Sequence, residues 1–194
     1  MPKISAPTVA EHRAAQRAAL IRAAGQILTD AGVAGVIPRA VAERAGLARS
    51  SFYEYFSSRD DILAAVAIEA FTQWREEIDA GLRDVAAGDR LRAYIELTMR
   101  MTADGKHDIA TLLQQTDISA ATYEQVMAMH DTLLHPLAEI LGELGVPDAR
   151  IDGALVQGVL NAGMQLVTQG AEVAAVVEAT VRILTAGLER TRRI

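Results

Sequence analysis

The sequence predicts an all-α fold of about nine helices. Only five of the 194 residues are proline, and no run of alternating polar and β-branched residues indicates a strand. Apolar residues instead recur every three or four positions, the spacing that places them on one face of a helix. Because 51% of the residues are hydrophobic, the chain can bury a sizeable core.

The first predicted helix begins near Thr8 and ends at Gly32. Thr8 and Glu11 have the spacing of a capping box, in which each side chain bonds the backbone amide of the other residue. Glycine readily adopts the left-handed backbone that terminates a helix. The buried side of this helix is expected to consist of Ile21, Ala24 and Leu28.

Two short helices follow, over residues 39–45 and 50–55, with Gly46 between them. Pro38 suits the first turn of the earlier helix, because the N–H that proline lacks would have no helical partner there. Gly46 can adopt the left-handed backbone that reverses the chain. The pattern predicts two closely packed helices joined by a tight turn.

A fourth helix is predicted after Ser57 and Ser58, which can cap it, with Asp60 and Asp61 favourable in its first turn. Pro136 is expected to kink the later helix that contains it. The buried side of the fourth helix is predicted to be Ile62, Val66, Phe71, Trp74, Ile78 and Leu82. The remaining helices are predicted over residues 91–102, 106–115, 122–144, 148–169 and 172–190.

The charge of the chain is unevenly distributed. The net charge is −6, yet residues 1–60 carry eight Lys/Arg against five Asp/Glu, which gives +3 there and leaves −9 for the remainder. This asymmetry indicates a basic N-terminal module on an acidic body, and a local patch sets the attraction to phosphates. The absence of cysteine excludes disulfides and fits a reducing cytoplasm.

Residues 153–171 carry no charged side chain and are nearly long enough to span a bilayer. They also contain Gln157, Asn161, Gln165 and Gln169, and four amides on one helical face would be costly in lipid. We therefore expect a buried helix of a soluble, cytoplasmic protein with no membrane partner.

Residues 39–63 contain a specific set of spaced positions. They are VAERAGL at 41–47, SFYEYF at 51–56, Arg59, and Ile62 with Leu63. In these positions the chain resembles the TetR family of bacterial transcription regulators. The resemblance implies an N-terminal three-helix helix-turn-helix DNA-binding domain over residues 1–57. It also implies a C-terminal helical ligand-binding and dimerisation domain over residues 58–194.

The chain departs from the family pattern at two helix starts. Ile37 and Pro38 stand where the family usually has a threonine that caps the helix and contacts phosphate. Ala48 stands where the family favours a capping serine, and Ser50 can replace that cap only in part. Neither change alters the expected fold.

A candidate DNA interface follows from the resemblance and from side-chain chemistry. The first turn of a recognition helix faces the major groove, where the forked guanidinium of Arg49 suits the two acceptors of guanine. The resemblance implies a base contact for Arg39, a base or backbone contact for Tyr53, and a phosphate contact for Arg59, whereas Tyr55 fits either a phosphate or the core. The full candidate set is Arg39, Arg49, Ser50, Ser51, Tyr53, Tyr55 and Arg59.

A two-fold dimer is expected, because one recognition helix reads few base pairs and two must lie roughly 34–36 Å apart. The predicted interface resembles the two helices that each subunit of the family gives to a four-helix contact. It comprises the small residues Ala154, Gly158 and Ala162 and the apolar stripe Val173, Val177, Val181, Leu184 and Leu188. The alternative is that both stripes pack inside one subunit.

The middle of the chain is expected to hold a ligand pocket that mixes apolar bulk with a few polar groups. The candidate lining residues are Trp74, Tyr94, Met101, Gln115, Tyr123, Met127, His130, Asn161 and Gln165. No Arg or Lys is among them, so the expected effector is small and mainly apolar, and no cofactor is implied. Ordinary core packing is the alternative for each residue.

The resulting hypothesis is a ligand-responsive transcriptional regulator, a repressor released from a palindromic operator. A ligand that prefers one conformation would move the fourth helix and shift the spacing of the recognition helices. One alternative is an all-helical metal-dependent hydrolase that uses the His107-Asp108 and His130-Asp131 pairs, although no specific metal spacing supports it. Another is a helical binding module that has lost DNA binding.

Overall fold

A computed structural model of the chain describes residues 8–105, 124, 134–146 and 148–191, and within these ranges the fold is all-α, as predicted. The described ranges contain eight α-helices and no strand. The helices are α1 (Val9–Gly35), α2 (Pro38–Arg44), α3 (Arg49–Tyr55), α4 (Arg59–Leu82), α5 (Arg90–Ala103), α6 (His135–Glu143), α7 (Ala149–Thr168) and α8 (Val173–Thr191).

The chain divides into two compact units, and within residues 8–105 the first unit ends at Glu69 and the second begins at Ala70. The domain division predicted between residues 57 and 58 stays a prediction. The helix predicted over residues 106–115 lies outside the described ranges, as does most of the part of the 122–144 helix that precedes Leu134.

Helix α1 starts and breaks where the sequence predicts. The Glu11 amide donates to the Thr8 hydroxyl at 3.2 Å, and the Thr8 amide donates to the Glu11 carboxylate. The Thr8 amide thereby holds the pKa of Glu11 below its ordinary value. Gly32 interrupts the helical backbone with φ 67° and ψ −174°, and one further turn ends at Gly35.

The turn between α2 and α3 depends on Gly46, which has a φ of +71°. The Gly46 amide donates to the Glu43 carbonyl at 3.1 Å, and the Leu47 amide donates to the Ala42 carbonyl at 2.9 Å. These bonds satisfy carbonyls that the end of α2 would otherwise leave open. A Cβ added at Gly46 would meet no atom within 4 Å, so the backbone conformation alone calls for glycine.

The start of α4 is capped by side chains, as predicted. The Asp61 amide donates to the Ser58 hydroxyl at 3.1 Å, and the Ser57 amide donates to the Asp61 carboxylate at 3.0 Å. The Ser57 hydroxyl also donates to that carboxylate and lowers the pKa of Asp61. The residues predicted for the buried side of α4, from Ile62 to Leu82, are all buried.

The core of the second unit is built around α5, which packs against α6, α7 and α8. Ile95 and Met99 of α5 are completely buried. On the outer side of α5, Arg92 donates to both carboxylate oxygens of Glu178 on α8, at 2.6 and 3.0 Å. Exposed ion pairs of this kind contribute little to stability, so the unit is held chiefly by its apolar core.

Pro136 does not lie in a helix interior, contrary to the expected kink. It occupies the first turn of α6, which begins at His135. A proline there displaces no helical hydrogen bond and causes no kink. At the other end of α6, Gly145 has a φ of +68° and the Val146 amide donates to the Leu141 carbonyl at 3.2 Å.

Replacing Gly46 by alanine is expected to destabilise the protein by about 1 kcal/mol, since the left-handed conformation costs a non-glycine residue roughly 1–2 kcal/mol. Urea unfolding followed by circular dichroism measures this change. Gly142→Ala is the matched control, because Gly142 is exposed inside α6 and a Cβ there also meets no atom within 4 Å. Alanine at that position should stabilise by about 0.5–1 kcal/mol. Equal effects at both positions would contradict the conformational explanation.

Candidate functional site

Helix α3 presents polar side chains outward from a buried aromatic anchor. Phe52 is completely buried, and the Tyr53 ring packs edge-on against it, with 5.3 Å between the ring centroids. Tyr53 itself is 52% exposed, and Arg49 and Ser50 are also exposed. Ser51 is half-buried. The first turn of α3 therefore offers hydrogen-bonding groups to a partner.

Neither α2 nor α3 has a side-chain cap, as the sequence indicated. Ile37 and Ala48 occupy the N-cap positions, and no side-chain hydrogen bond caps either helix. The Ser51 amide donates to the Ala48 carbonyl at 3.0 Å, but Ser50 supplies no substitute cap. The caps of both helices thus receive no hydrogen bond from the side chains that the structure describes.

The arginines at this surface differ in whether a carboxylate neutralises them. Arg44 pairs with Asp30 at 2.6 Å. Arg39, Arg49 and Arg59 form no salt bridge with any residue that the structure describes. Their charges remain available for an anionic ligand such as a DNA backbone.

Tyr55 has a protein partner for its hydroxyl. It is half-buried and donates a hydrogen bond to the Gln16 side-chain oxygen of α1 at 2.7 Å. The Arg13 guanidinium lies over the Tyr55 ring, 5.5 Å from its centroid, and that of Arg17 lies 5.3 Å from the Phe56 centroid. Sequence reasoning assigned no role to Gln16, because a contact between residues 39 positions apart leaves no local pattern.

The predicted ligand-lining residues that the structure describes fall into two different environments. Trp74, Tyr94 and Met101 are buried in the apolar core of the second unit. Burial raises the pKa of Tyr94 to about 12. Asn161 and Gln165, expected to be buried amides, are exposed instead, because they stand on the side of α7 away from that core. Gln115, Tyr123, Met127 and His130 lie outside the described residues.

A groove of about 480 Å³ runs between α6 and α7, and Asn161 lines it. The Gln157 amide nitrogen donates to the Asn161 side-chain oxygen at 2.8 Å, whereas the Gln157 oxygen is buried and accepts no bond from the described residues. The other lining residues are Leu134, Leu137, Ala138, Leu141, Arg150, Gly153, Ala154 and Gly158.

The two halves of the predicted dimer surface have different environments. The α8 stripe packs inside its own chain: Val177 and Leu184 are each 5% exposed, and Val173, Val181 and Leu188 lie partly buried against the same core. The reason is that α8 covers α5 and α7. The small residues Ala154, Gly158 and Ala162 of α7 are exposed, as a dimer face requires.

Large apolar residues that the sequence analysis missed are also exposed on α7 and α8. On α7 they are Ile151, Leu155 and Leu166, and on α8 Ile183 is 54% exposed. Positions 151, 155, 162 and 166 follow helical spacing, so their shared face could have been read from the sequence.

The residues behind the hydrolase alternative fall largely outside the structure. His107, Asp108, His130 and Asp131 are not among the described residues. Within the described ranges no group of three His, Cys, Asp or Glu side chains could hold a metal ion. In the same ranges, no helix combines the length and apolar character needed to cross a membrane.

Comparison with known proteins shows that the N-terminal segment is similar to bacterial regulatory proteins. A family model described as "Bacterial regulatory proteins, tetR family" matches residues 20–66. The "HTH-type transcriptional regulator Rv1816" of Mycobacterium tuberculosis is 35% identical over 60 residues, which are 31% of this chain and 26% of that relative. The chain thus matches about a quarter of the length of this curated relative, and both matches are to regulatory proteins.

Solved structures share the fold over most of the chain. The transcriptional regulator FadR from Bacillus subtilis, solved with stearoyl-CoA, is 21% identical and has a TM-score of 0.73 over 88% of this chain and 98% of its own. The TetR family regulator PfmR from Thermus thermophilus is 19% identical, with a TM-score of 0.64 over 85% of this chain and 96% of its own.

The Tyr94 phenol is expected to titrate at about pH 12, against about 10 for a free tyrosine. The folded chain holds this proton more tightly than the unfolded chain does. The stability that the neutral phenol contributes is therefore present below pH 10 and lost as the pH rises through about 12. Tyrosinate absorbance of the wild type minus that of Tyr94→Phe isolates the transition. A transition near pH 10 would mean that the ring faces a hydrated pocket instead of the core.

Proposed function

We propose that this chain, a member of the TetR family of bacterial regulatory proteins by its N-terminal domain, is a ligand-responsive transcriptional repressor. It binds a palindromic DNA operator as a homodimer, and a small, mainly apolar effector releases it. One observation carries the proposal: on α3 the side chains of Arg49, Ser50 and Tyr53 are exposed, while Phe52 is buried. Such a regulator works on the chromosome and therefore in the cytoplasm.

In the proposed complex the first turn of α3 enters the major groove. Arg49 donates to guanine, while Ser50 and Tyr53 bond neighbouring bases or phosphates. Arg39 at the start of α2 adds a base contact, and Ser51 supports the first turn. Arg59 contacts a phosphate through its guanidinium. The Asp61 amide at that helix start is not available for this contact, because it already donates to the Ser58 hydroxyl.

The proposed dimer forms through the outward faces of α7 and α8. Ala154, Gly158 and Ala162 let a second helix approach closely, while Leu155 and Ile183 supply apolar area. An exposed apolar face of this kind on a folded subunit marks a protein contact. Asn161 and Gln165 would then find hydrogen-bond partners across the two-fold axis.

The proposed effector site is the groove between α6 and α7. Its leucines suit an apolar body, and Arg150, Gln157 and Asn161 suit a polar end. The fold relative FadR, solved with stearoyl-CoA, supports an effector with a long apolar part. Ala154 and Gly158 belong to this groove and to the dimer face, so effector binding and subunit packing are expected to influence each other.

Helix α4 is the proposed link between effector and DNA. Its first turns supply Ile62 and Leu63 to the buried residues of the first unit, and its last turns supply Trp74, Ile78 and Leu82 to the core of the second. An effector that binds one conformation more tightly than the other would shift α4 and weaken DNA binding reciprocally.

Selection of bound sequences from random DNA, repeated with candidate apolar effectors, tests this function. We expect an enriched palindrome with half-sites about one helical turn apart, and release of that DNA by an effector. Arg49→Ala should weaken operator binding about 10- to 100-fold, the value of a good bidentate base contact. Arg75→Ala is the control, because Arg75 is exposed on α4 in the second unit and pairs with Asp79. No enrichment together with no salt-dependent DNA binding would favour a helical module that has lost DNA binding.

Sedimentation equilibrium tests the dimer. The wild-type chain is expected to sediment at twice its monomer mass, and the double variant Leu155→Glu/Ile183→Glu at the monomer mass, because burying two carboxylates is unfavourable. Val9→Glu is the matched control, since Val9 is also apolar and is 80% exposed on α1. A double variant that remains dimeric would place the interface elsewhere.

A further inference from the structure

We infer that Arg13 of α1 contacts the DNA backbone. The Tyr55 ring holds the guanidinium of Arg13 at the end of the recognition helix α3. Gln16 is the positioning residue that fixes this ring. The inference rests on the proposed DNA binding and changes the expected role of Tyr55. Its ring holds the guanidinium of Arg13, and its hydroxyl does not contact a phosphate.

The hydroxyl of Tyr55 has a single proton, and that proton is already used in a hydrogen bond. The proton is donated to the Gln16 side-chain oxygen, with 2.7 Å between the two oxygens. The remaining capacity of the hydroxyl is to accept, and a phosphate diester offers no proton. Tyr55 therefore cannot bond a phosphate unless it leaves Gln16.

Arg13 carries the positive charge that Tyr55 lacks, and it lies over the Tyr55 ring. Its guanidinium carbon lies 5.5 Å from the Tyr55 centroid, within the range of a cation–π contact. Arg13 is exposed and forms no salt bridge with the described residues. A guanidinium stacked by its face on a ring still has its edge N–H groups free to bond an anion.

The contacts come from one side of α1. Gln16 and Arg17 lie three and four positions after Arg13, so each is a neighbour of Arg13 on the helix surface. That face meets the end of α3, where Gln16 bonds Tyr55 and Arg17 lies 5.3 Å from the Phe56 centroid. The guanidinium of Arg13 is thereby held beside the C-terminal end of α3.

The salt dependence of DNA binding tests the inference, with the full chain and a duplex that carries the selected operator. Each phosphate neutralised contributes about 0.9 to the slope of log affinity against log salt, so Arg13→Gln should lower the slope of a dimer by about 1.8. Affinity for a scrambled duplex should fall in parallel, because backbone contacts carry no sequence information.

Two further variants separate Arg13 from its neighbours. Arg22→Gln is the matched control: Arg22 is an exposed arginine of α1 nine residues further on, on the opposite side of the helix, and its slope should equal that of the wild type. Tyr55→Phe keeps the ring and should change affinity by less than about threefold, whereas loss of a phosphate hydrogen bond would cost roughly tenfold.

An unchanged slope for Arg13→Gln, or a tenfold loss for Tyr55→Phe, would overturn the inference while leaving the proposed function in place. If the wild-type chain shows no salt-dependent DNA binding, the proposed function and this inference fail together.

Discussion

Burial of the Phe52 ring is the constraint on which the proposed DNA-binding surface depends. Helix α3 has seven residues, too few to be stable alone in water, and its N-cap residue Ala48 makes no capping bond. Its orientation must therefore come from packing, which Phe52 provides together with Phe56, 5.8 Å away between ring centroids. With the inward side fixed by apolar contacts, the outward side chains are free to differ without loss of the fold.

The features that sequence analysis predicted correctly are those whose chemistry is local. The Thr8–Glu11 box, the Gly46 turn and the Ser58 cap each join residues within five positions, and the hydrogen bonds appear as expected. The bond between Gln16 and Tyr55 was not predictable in this way, because it depends on how α1 and α3 meet.

The apolar stripe of α8 was ambiguous for a different reason. Val177 and Leu184 have the spacing of a helical face, and the same spacing serves a subunit core or a dimer interface equally well. An apolar periodicity shows that one face of a helix is buried, but it does not show whether that face is buried by the same chain or by a second subunit. The uncharged residues of α7 were ambiguous for the same reason: Val156 and Leu160 pack inward, while Leu155 and Leu166 face outward. A helix that is apolar on two sides fits a position between a core and a second subunit.

The single tryptophan of the chain gives the second unit its own optical signal. Trp74 is 9% exposed and lies in the core of that unit on α4, the helix that follows α3. No tryptophan lies in the first unit, so indole emission follows the environment of the second unit alone. Changes that the proposed effector would induce around α4 can therefore be followed by intrinsic fluorescence, without a label and without DNA.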